Sequence, residues 1–252
     1  VEVYRAGISA AELPAAVADT LLIRRNLAAL DSKTGDAVAT GGDLDAAFEA
    51  FSRAEREQRA ILARADATPA DRRNLAITLL ALVRVEVLRG RTGAAEPRAR
   101  ELNAILRDAM AASPDDTGTM GLFVSSALQM AGLEANAGRR QAALALADEA
   151  VAVSRRTVAL AGDVAGARMA HAIRLNEAAA VRNKAGALAG ACADMRRSAA
   201  ILQDYQKTRA LPDARSAARL LAHAPVYWRL LTAPMVLTNG RFVDFRAWNQ
   251  TG

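Results

Sequence analysis

Cysteine, histidine and aromatic residues are scarce in this sequence. Cys192 is the only cysteine, and the two histidines, His171 and His223, lie 52 residues apart. A single cysteine excludes an intrachain disulfide and a cysteine-based metal cluster. Neither histidine has a second ligand at the i, i+4 spacing of a helical metal site. We therefore expect neither a metal nor another cofactor.

The chain also lacks the signals of β-structure. It has seven prolines, an aromatic content of 4%, and no long alternation of valine, isoleucine or threonine. Its hydrophobic content is nevertheless 52%, and alanine supplies much of it. Alanine is the strongest helix former and is small enough to lie between closely packed helices. This composition predicts an all-α fold with many helices in close contact.

No uncharged apolar run approaches the roughly 20 residues that a membrane-spanning helix needs. The first residue is Val1 and no signal peptide is visible, so we interpret the chain as an excised or processed piece of a longer protein. A cytoplasmic location is favoured, with an extracytoplasmic part of a larger protein as the alternative.

The net charge of +6 comes almost entirely from arginine, because only three of the 33 basic residues are lysines. A basic balance can indicate a nucleic-acid partner. Here the arginines are scattered among 27 acidic residues, so we do not expect nucleic-acid binding. Three arginine pairs have acidic neighbours at pairable spacings, which predicts a salt-bridged outer face rather than an anion-binding patch. These pairs are Arg139-Arg140, Arg155-Arg156 and Arg196-Arg197.

No catalytic motif is present. Residues 31–43 contain glycine, lysine and threonine, but in the wrong order for a phosphate-binding loop and without a preceding strand. Ser125 and Ser126 have no histidine nearby that could activate a nucleophile. We therefore predict that the chain is not an enzyme and has no catalytic residue.

A repeat organises the sequence instead. Glycines recur every 48 residues, at Gly42, Gly90, Gly138 and Gly186, each followed after three residues by a pair of small residues. Each copy is predicted to form two antiparallel helices, with the glycine ending the first helix in a left-handed conformation. Helical spacing then places Ala143 and Ala147 at the contact between the two helices. A displaced "AIL" at residues 60–62 predicts one additional helical turn in the first copy.

The small residues and their phase resemble the tetratricopeptide repeat over roughly residues 14 to 210. The first copy fits that pattern best, at Gly35, Gly42, Ala47, Phe51 and Ala54. The period of 48 residues exceeds the usual one of about 34. The chain therefore resembles a degenerate variant with long helices, as found in repeat tails of bacterial regulators and kinases.

This resemblance implies a right-handed α-solenoid of about four antiparallel helix pairs, because an isolated pair cannot bury its apolar face. The copies are expected near residues 14–68, 69–113, 114–163 and 164–211. The first helix is expected to begin near Pro14, and a capping helix near 213–231 completes a domain of residues 1–231.

Residues 232–252 form an aromatic C-terminal tail with a turn signal at "TNGRF" and strand-like alternation in "RFVDFRAW". Phe242, Phe245 and Trp248 in this tail either cover the end of the solenoid or dock on a partner. Self-association of two chains through the tail is one form of such docking.

In the tetratricopeptide family, first helices line a concave groove that binds peptides or proteins. The resemblance therefore implies a non-catalytic protein- or peptide-binding scaffold, as a regulatory module of a larger protein. Matched positions at Ile77, Leu80, Leu128 and Ile173 predict an apolar groove. The alternative is a sensory module that binds a small apolar ligand inside the superhelix. The polar candidates for partner binding in the groove are Ser32, Asp36, Arg84, Asn136, Asn176, Asn183 and Lys184.

Overall fold

The computed structural model describes residues 20–162 and 164–208, together with residues 235–238 and 241–244. Residues 20–208 contain eight helices in four antiparallel pairs, each packed on its neighbours in chain order. This arrangement confirms the predicted α-solenoid. The helices are α1 (Leu21–Thr40), α2 (Leu44–Leu62), α3 (Pro69–Leu88), α4 (Thr92–Ala112), α5 (Thr117–Asn136), α6 (Arg140–Leu160), α7 (Ala165–Lys184) and α8 (Leu188–Thr208).

The four copies keep the 48-residue period without an insertion. First helices begin at Leu21, Pro69, Thr117 and Ala165, and second helices keep the same spacing. The additional turn predicted for the first copy is therefore wrong, since α2 is shorter than the other second helices. The start of α3 is fixed by Asp71, whose carboxylate accepts hydrogen bonds from the Thr68 amide and hydroxyl, both at 2.8 Å. Compared with the other second helices, α2 ends two residues earlier in the period. The two residues that follow it belong to the connection before the α3 cap.

The repeating glycines end the first helices as predicted. Gly42, Gly90, Gly138 and Gly186 have φ angles of 88°, 74°, 74° and 75°, in the left-handed region that favours glycine. In each turn the amide after the glycine donates to a carbonyl five residues back, at 2.7 to 3.1 Å. This shared geometry gives every pair the same short antiparallel connection.

Small residues bring the paired helices together. Ala47, Ala95, Ala143 and Ala191, five positions after each turn glycine, are all buried. Ala147 is buried as well, which confirms the predicted phase of the second helices. The close approach leaves no free space in the first pair, where a Cβ atom added to Gly35 would lie 2.7 Å from the Phe51 ring.

The last copy departs from this phase at Met195, which is 38% exposed although its equivalents Phe51, Ala99 and Ala147 are buried. In the first copy, Phe51 packs against Leu82 and Val85 of the following first helix. The helix α8 is the last that the structure describes. In α8 the neighbouring residue Asp194 is buried instead, and it pairs with Arg182.

First helices also contact one another. The helix α5 packs against both α3 and α7, and one apolar core runs from α3 to α7. Between α1 and α3, the Arg25 guanidinium donates to both Asp71 carboxylate oxygens, at 2.8 and 2.6 Å. This pair holds the pKa of Asp71 well below its usual range. The solenoid therefore has one layer of first helices and one of second helices.

The described part of the C-terminal tail is a hairpin of β1 (Met235–Thr238) and β2 (Arg241–Asp244). The strands are antiparallel, and the register pairs Thr238 with Arg241 and Leu237 with Phe242. This pairing confirms a strand within "RFVDFRAW" and a reversal at the predicted turn. The expected start near Pro14, the capping helix near 213–231, and Phe245 and Trp248 lie outside the described residues.

One interior position varies between apolar and charged residues. It lies four residues before each turn glycine, and in two copies it pairs with the residue eight positions after that glycine. Glu86 is 2% exposed and accepts a hydrogen bond from Arg98 at 2.6 Å. In the fourth copy the signs are reversed, because Arg182 pairs with the buried Asp194. The residues at these two positions in the four copies are Val38 and Ala50, Glu86 and Arg98, Glu134 and Leu146, and Arg182 and Asp194. In the third copy Glu134 pairs with Arg139 instead.

Replacing Gly35 with alanine should destabilise the fold by about 1–3 kcal/mol, because the new methyl group overlaps the Phe51 ring. Gly132→Ala is the matched control, since nothing lies within 4 Å of its added Cβ. We expect this control to stabilise the protein by about 0.5–1 kcal/mol through helix propensity. Chemical denaturation of both variants measures the difference, and equal effects would contradict the close contact.

Replacing Arg98 with alanine should cost about 3 kcal/mol or more, because it leaves the buried Glu86 carboxylate unpaired. The double variant Glu86→Val/Arg98→Ala reproduces the first copy and should regain most of that loss. Glu55, which Arg98 also approaches, keeps its ion pair with Arg59 at 2.8 Å. Arg100→Ala, which removes an exposed pair with Glu96, should cost at most about 1 kcal/mol. A double variant as unstable as Arg98→Ala would refute this account.

Candidate interaction surfaces

The first helices expose one continuous face, which we call the first-helix face. It consists of four positions on each first helix, at helical spacings of four, three and four residues, and none of them is buried. Because α3, α5 and α7 lie side by side, these positions form one surface across neighbouring helices. Its residues are Ala29, Lys33, Asp36, Thr40, Ile77, Ala81, Arg84, Leu88, Ser125, Gln129, Gly132, Asn136, Ile173, Glu177, Ala180 and Lys184.

Much of this face is apolar or small. Ile77 is 43% exposed and Leu88 36% exposed, while Ile173 is partly exposed further along. Its charges are few and of both signs. Lys33 and Asp36 lie 3.7 Å apart on α1, and Glu177 accepts a hydrogen bond from Arg174 on α7 at 2.8 Å. An extended or helical segment with apolar side chains matches such a surface.

Four of the predicted partner-binding residues lie on the first-helix face. Asp36 of α1 and Arg84 of α3 occupy equivalent positions in the first two copies. Asn136 and Lys184 occupy the final position of α5 and of α7, and both are exposed. The sequence periodicity therefore brings these four side chains onto one surface, where only Arg84 is partly buried and the other three are exposed.

The other three polar candidates lie beside this face. The Ser32 hydroxyl is partly buried and lies 3.2 Å from the Thr78 hydroxyl, so it belongs to the contact between α1 and α3. Asn176 and Asn183 are both exposed on α7. Asn176 occupies the position equivalent to Ser32, but α7 is the last first helix that the structure describes.

Two residues of the predicted apolar groove lie in the core instead. Leu80 is 9% exposed and Leu128 is 6% exposed, and both belong to the main apolar cluster. Their prediction as groove residues was wrong because this position faces the neighbouring first helix. Ile77 and Ile173 lie one helical turn earlier and remain partly or fully exposed.

Gln129 is a residue of the first-helix face that sequence reasoning missed. Its side-chain carbonyl oxygen is shielded from solvent and has no hydrogen-bond partner among the described residues. Two features of the sequence could have identified it. Gln129 occupies the same repeat position as Lys33 and Glu177, and it lies in residues 117–133, which contain no charged residue.

An open depression of about 480 Å³ lies at the turns of the first two copies. It is lined by Gly42, Asp43, Leu44, Asp45, Arg89 and Arg91. Asp45 and Arg89 form an ion pair at 2.5 Å across it. This polar, open depression differs from the enclosed apolar cavity that a small-ligand sensor would require.

The second helices are joined by ion pairs that follow the repeat. At the first junction, between α2 and α4, Arg59 donates to Glu101 at 2.8 Å. At the second junction, between α4 and α6, Arg107 donates to Glu149 at 2.6 Å. The hydrogen bond from Arg59 lowers the pKa of Glu101. One arginine–glutamate pair thus connects successive second helices at both junctions.

The predicted salt-bridged outer face is confirmed for part of the arginine pairs. Arg139 pairs with Glu134 and Glu96, and Arg156 pairs with Asp115 at 3.1 Å. Arg140 and Arg196 instead donate to backbone carbonyls, at 3.3 Å each. Within the described residues, Arg155 has no acidic partner.

His171 occupies a partly buried position between α6, α7 and α8. Its Nδ1 atom lies 2.9 Å from the Ser154 hydroxyl of α6. Burial lowers the pKa of His171, and the positive charges of Arg155 on α6 and Arg197 on α8 lower it further. On α8, the Ser198 hydroxyl donates to the Ala172 carbonyl at 2.9 Å, which holds α8 against this site.

These features define the chain as a helical-repeat solenoid with an exposed layer of first helices. Comparison with protein-family models and with curated proteins gave no match. Among the helices that the structure describes, none combines the length and apolar character required to cross a membrane.

The depressed pKa of His171 predicts a loss of stability in acid. The unfolded chain takes up a proton near the ordinary value of 6.5, whereas the folded chain does so only at lower pH. The free energy of unfolding should therefore fall as pH drops below about 6.5 and stay level above about 7.5. We expect His171→Gln to lose this pH-dependent part of the free energy of unfolding. The difference in unfolding free energy between the parent chain and the variant should therefore change with pH. Thermal unfolding over this range measures it, and a constant difference would exclude the predicted shift.

Proposed function

We propose that this chain is a non-catalytic scaffold that binds a protein or peptide on its first-helix face. The observation that carries the proposal is the continuity of that face, with four unburied positions on each of four helices. Exposed Ile77 and Leu88 supply apolar contact area on this face. Apolar anchors surrounded by a few polar groups are typical of peptide-binding surfaces.

We infer a tetratricopeptide-like solenoid whose first-helix face is the concave side of a right-handed superhelix. The buried small residues at Gly35, Ala47 and Ala54, with Phe51 between them, support this class. A regulatory role in a larger protein follows from the same resemblance. Self-association through the C-terminal tail is a separate prediction, because Phe245 and Trp248 lie outside the described residues.

Peptides selected from a displayed library on the intact chain test the binding face. Ile77→Asp should weaken the selected peptides about tenfold or more, because a charge replaces an exposed apolar side chain of the face. Leu160→Asp is the matched control, since Leu160 is 42% exposed and Ile77 is 43% exposed. Leu160 ends the second helix α6 and lies away from the first-helix face.

Both variants must keep the helical circular-dichroism signal and the thermal midpoint of the parent chain. Loss of binding in Ile77→Asp alone supports the first-helix face. Equal binding by both variants, or loss only in Leu160→Asp, would show that peptides dock elsewhere.

A further inference from the structure

The ion pairs between second helices do not continue at the third junction, between α6 and α8. The first junction pairs Arg59 with Glu101, and the second pairs Arg107 with Glu149. One period later the same positions hold Arg155 and Arg197. The glutamate that completes the first two junctions is thus replaced by a second arginine, and the acidic partner is missing.

The side chains beneath this junction change as well. At the second junction, Leu106 and Phe123 are buried in the core, and the Arg107 guanidinium lies 5.4 Å from the centre of the Phe123 ring. One period later Leu106 is replaced by Ser154 and Phe123 by His171. The apolar pair of the second junction has become a hydrogen-bonded polar pair, with Nδ1 of His171 at 2.9 Å from the Ser154 hydroxyl.

These replacements converge on one place although they come from three helices. Arg155 and Ser154 lie on α6, His171 on α7 and Arg197 on α8. Arg155 is exposed and the Arg197 side chain is 66% exposed, so both guanidinium groups are accessible. The Arg197 guanidinium lies 3.4 Å from the Asp194 carboxylate, but Asp194 is buried and also pairs with Arg182. The local balance is therefore positive.

We propose that Arg155, Arg197 and His171 form a binding site for a carboxylate side chain of an acidic peptide segment. The carboxylate takes the place that Glu101 and Glu149 occupy at the first two junctions. Charge complementarity supports this occupant, since Arg155 has no acidic partner among the described residues and Arg197 shares the buried Asp194 with Arg182. The site lies on the second-helix side and is independent of the first-helix face.

A fluorescent peptide of ten alternating glutamate and alanine residues tests the site by anisotropy with the intact chain. Arg155→Glu places an acid opposite Arg197 and should weaken peptide binding about tenfold or more. Arg156→Glu is the matched control, because it makes the same charge change at the next residue, whose pair with Asp115 is exposed. We expect this control to weaken binding by less than about threefold, through general electrostatics alone.

A second pair of variants guards against misfolding. Arg197→Gln should also weaken the peptide, whereas Arg196→Gln on the same helix should not. Equal losses in Arg155→Glu and Arg156→Glu, or no binding by the parent chain, would refute the site. Phosphate binding as tight as the peptide would show a small-anion site instead. A dimer by light scattering that Arg155→Glu dissociates would show that a second copy is the occupant; both results overturn the peptide proposal.

The site also predicts a reciprocal effect on His171. A bound carboxylate offsets the charges of Arg155 and Arg197, so it should raise the pKa of His171. The peptide should therefore bind more tightly near pH 5.5 than near pH 7.5. His171→Gln should bind the peptide with the same affinity at both pH values. A pH dependence that persists in His171→Gln would contradict the placement of the carboxylate beside His171.

Discussion

The close approach of the two helices in each pair is the constraint on which the rest of this structure depends. Alanine at the fifth position after the turn glycine allows this approach, and the positive φ of that glycine sets the short antiparallel connection. Because the turn has the same geometry in every copy, each second helix begins at the same point of the 48-residue period. Stacking then buries the apolar faces that a single pair would expose.

This fixed geometry places the same repeat positions in the same environments. In the second and fourth copies, position four before the glycine pairs with position eight after it. The reversed charges of Glu86 with Arg98 and of Arg182 with Asp194 follow from that constraint. A buried charge is tolerated only with a partner. In the third copy, where the second position is Leu146, the buried Glu134 pairs with Arg139 instead. The same geometry keeps the first-helix face continuous and aligns Arg59 with Glu101 and Arg107 with Glu149.

The fold could be predicted from the sequence because its determinants are local and repeat. The turn glycines and small residues showed the pairing and the phase directly. The depth of each groove position could not be read in the same way, since Leu80 and Ile77 are both apolar and differ only in which neighbour they face. Met195 differs in a similar way, because it is exposed although its equivalents Phe51, Ala99 and Ala147 in the earlier copies are buried. The 48-residue period correctly predicts one shared surface for Asp36, Arg84, Asn136 and Lys184. It does not identify a partner.

Departures from the repeat are informative at positions where the stability of the fold does not explain the residue. Leucine and phenylalanine fill the core beneath the second junction, so stability alone gives no reason for Ser154 and His171 one period later. Their hydrogen bond satisfies two polar groups but contributes less apolar burial than the pair it replaces. Arg197 adds a like charge where glutamate would have joined α8 to α6. Ser154, His171 and Arg197 each replace a residue that would contribute more stability, and they lie together at one accessible position. A bound acidic group would offset the positive charge at this position.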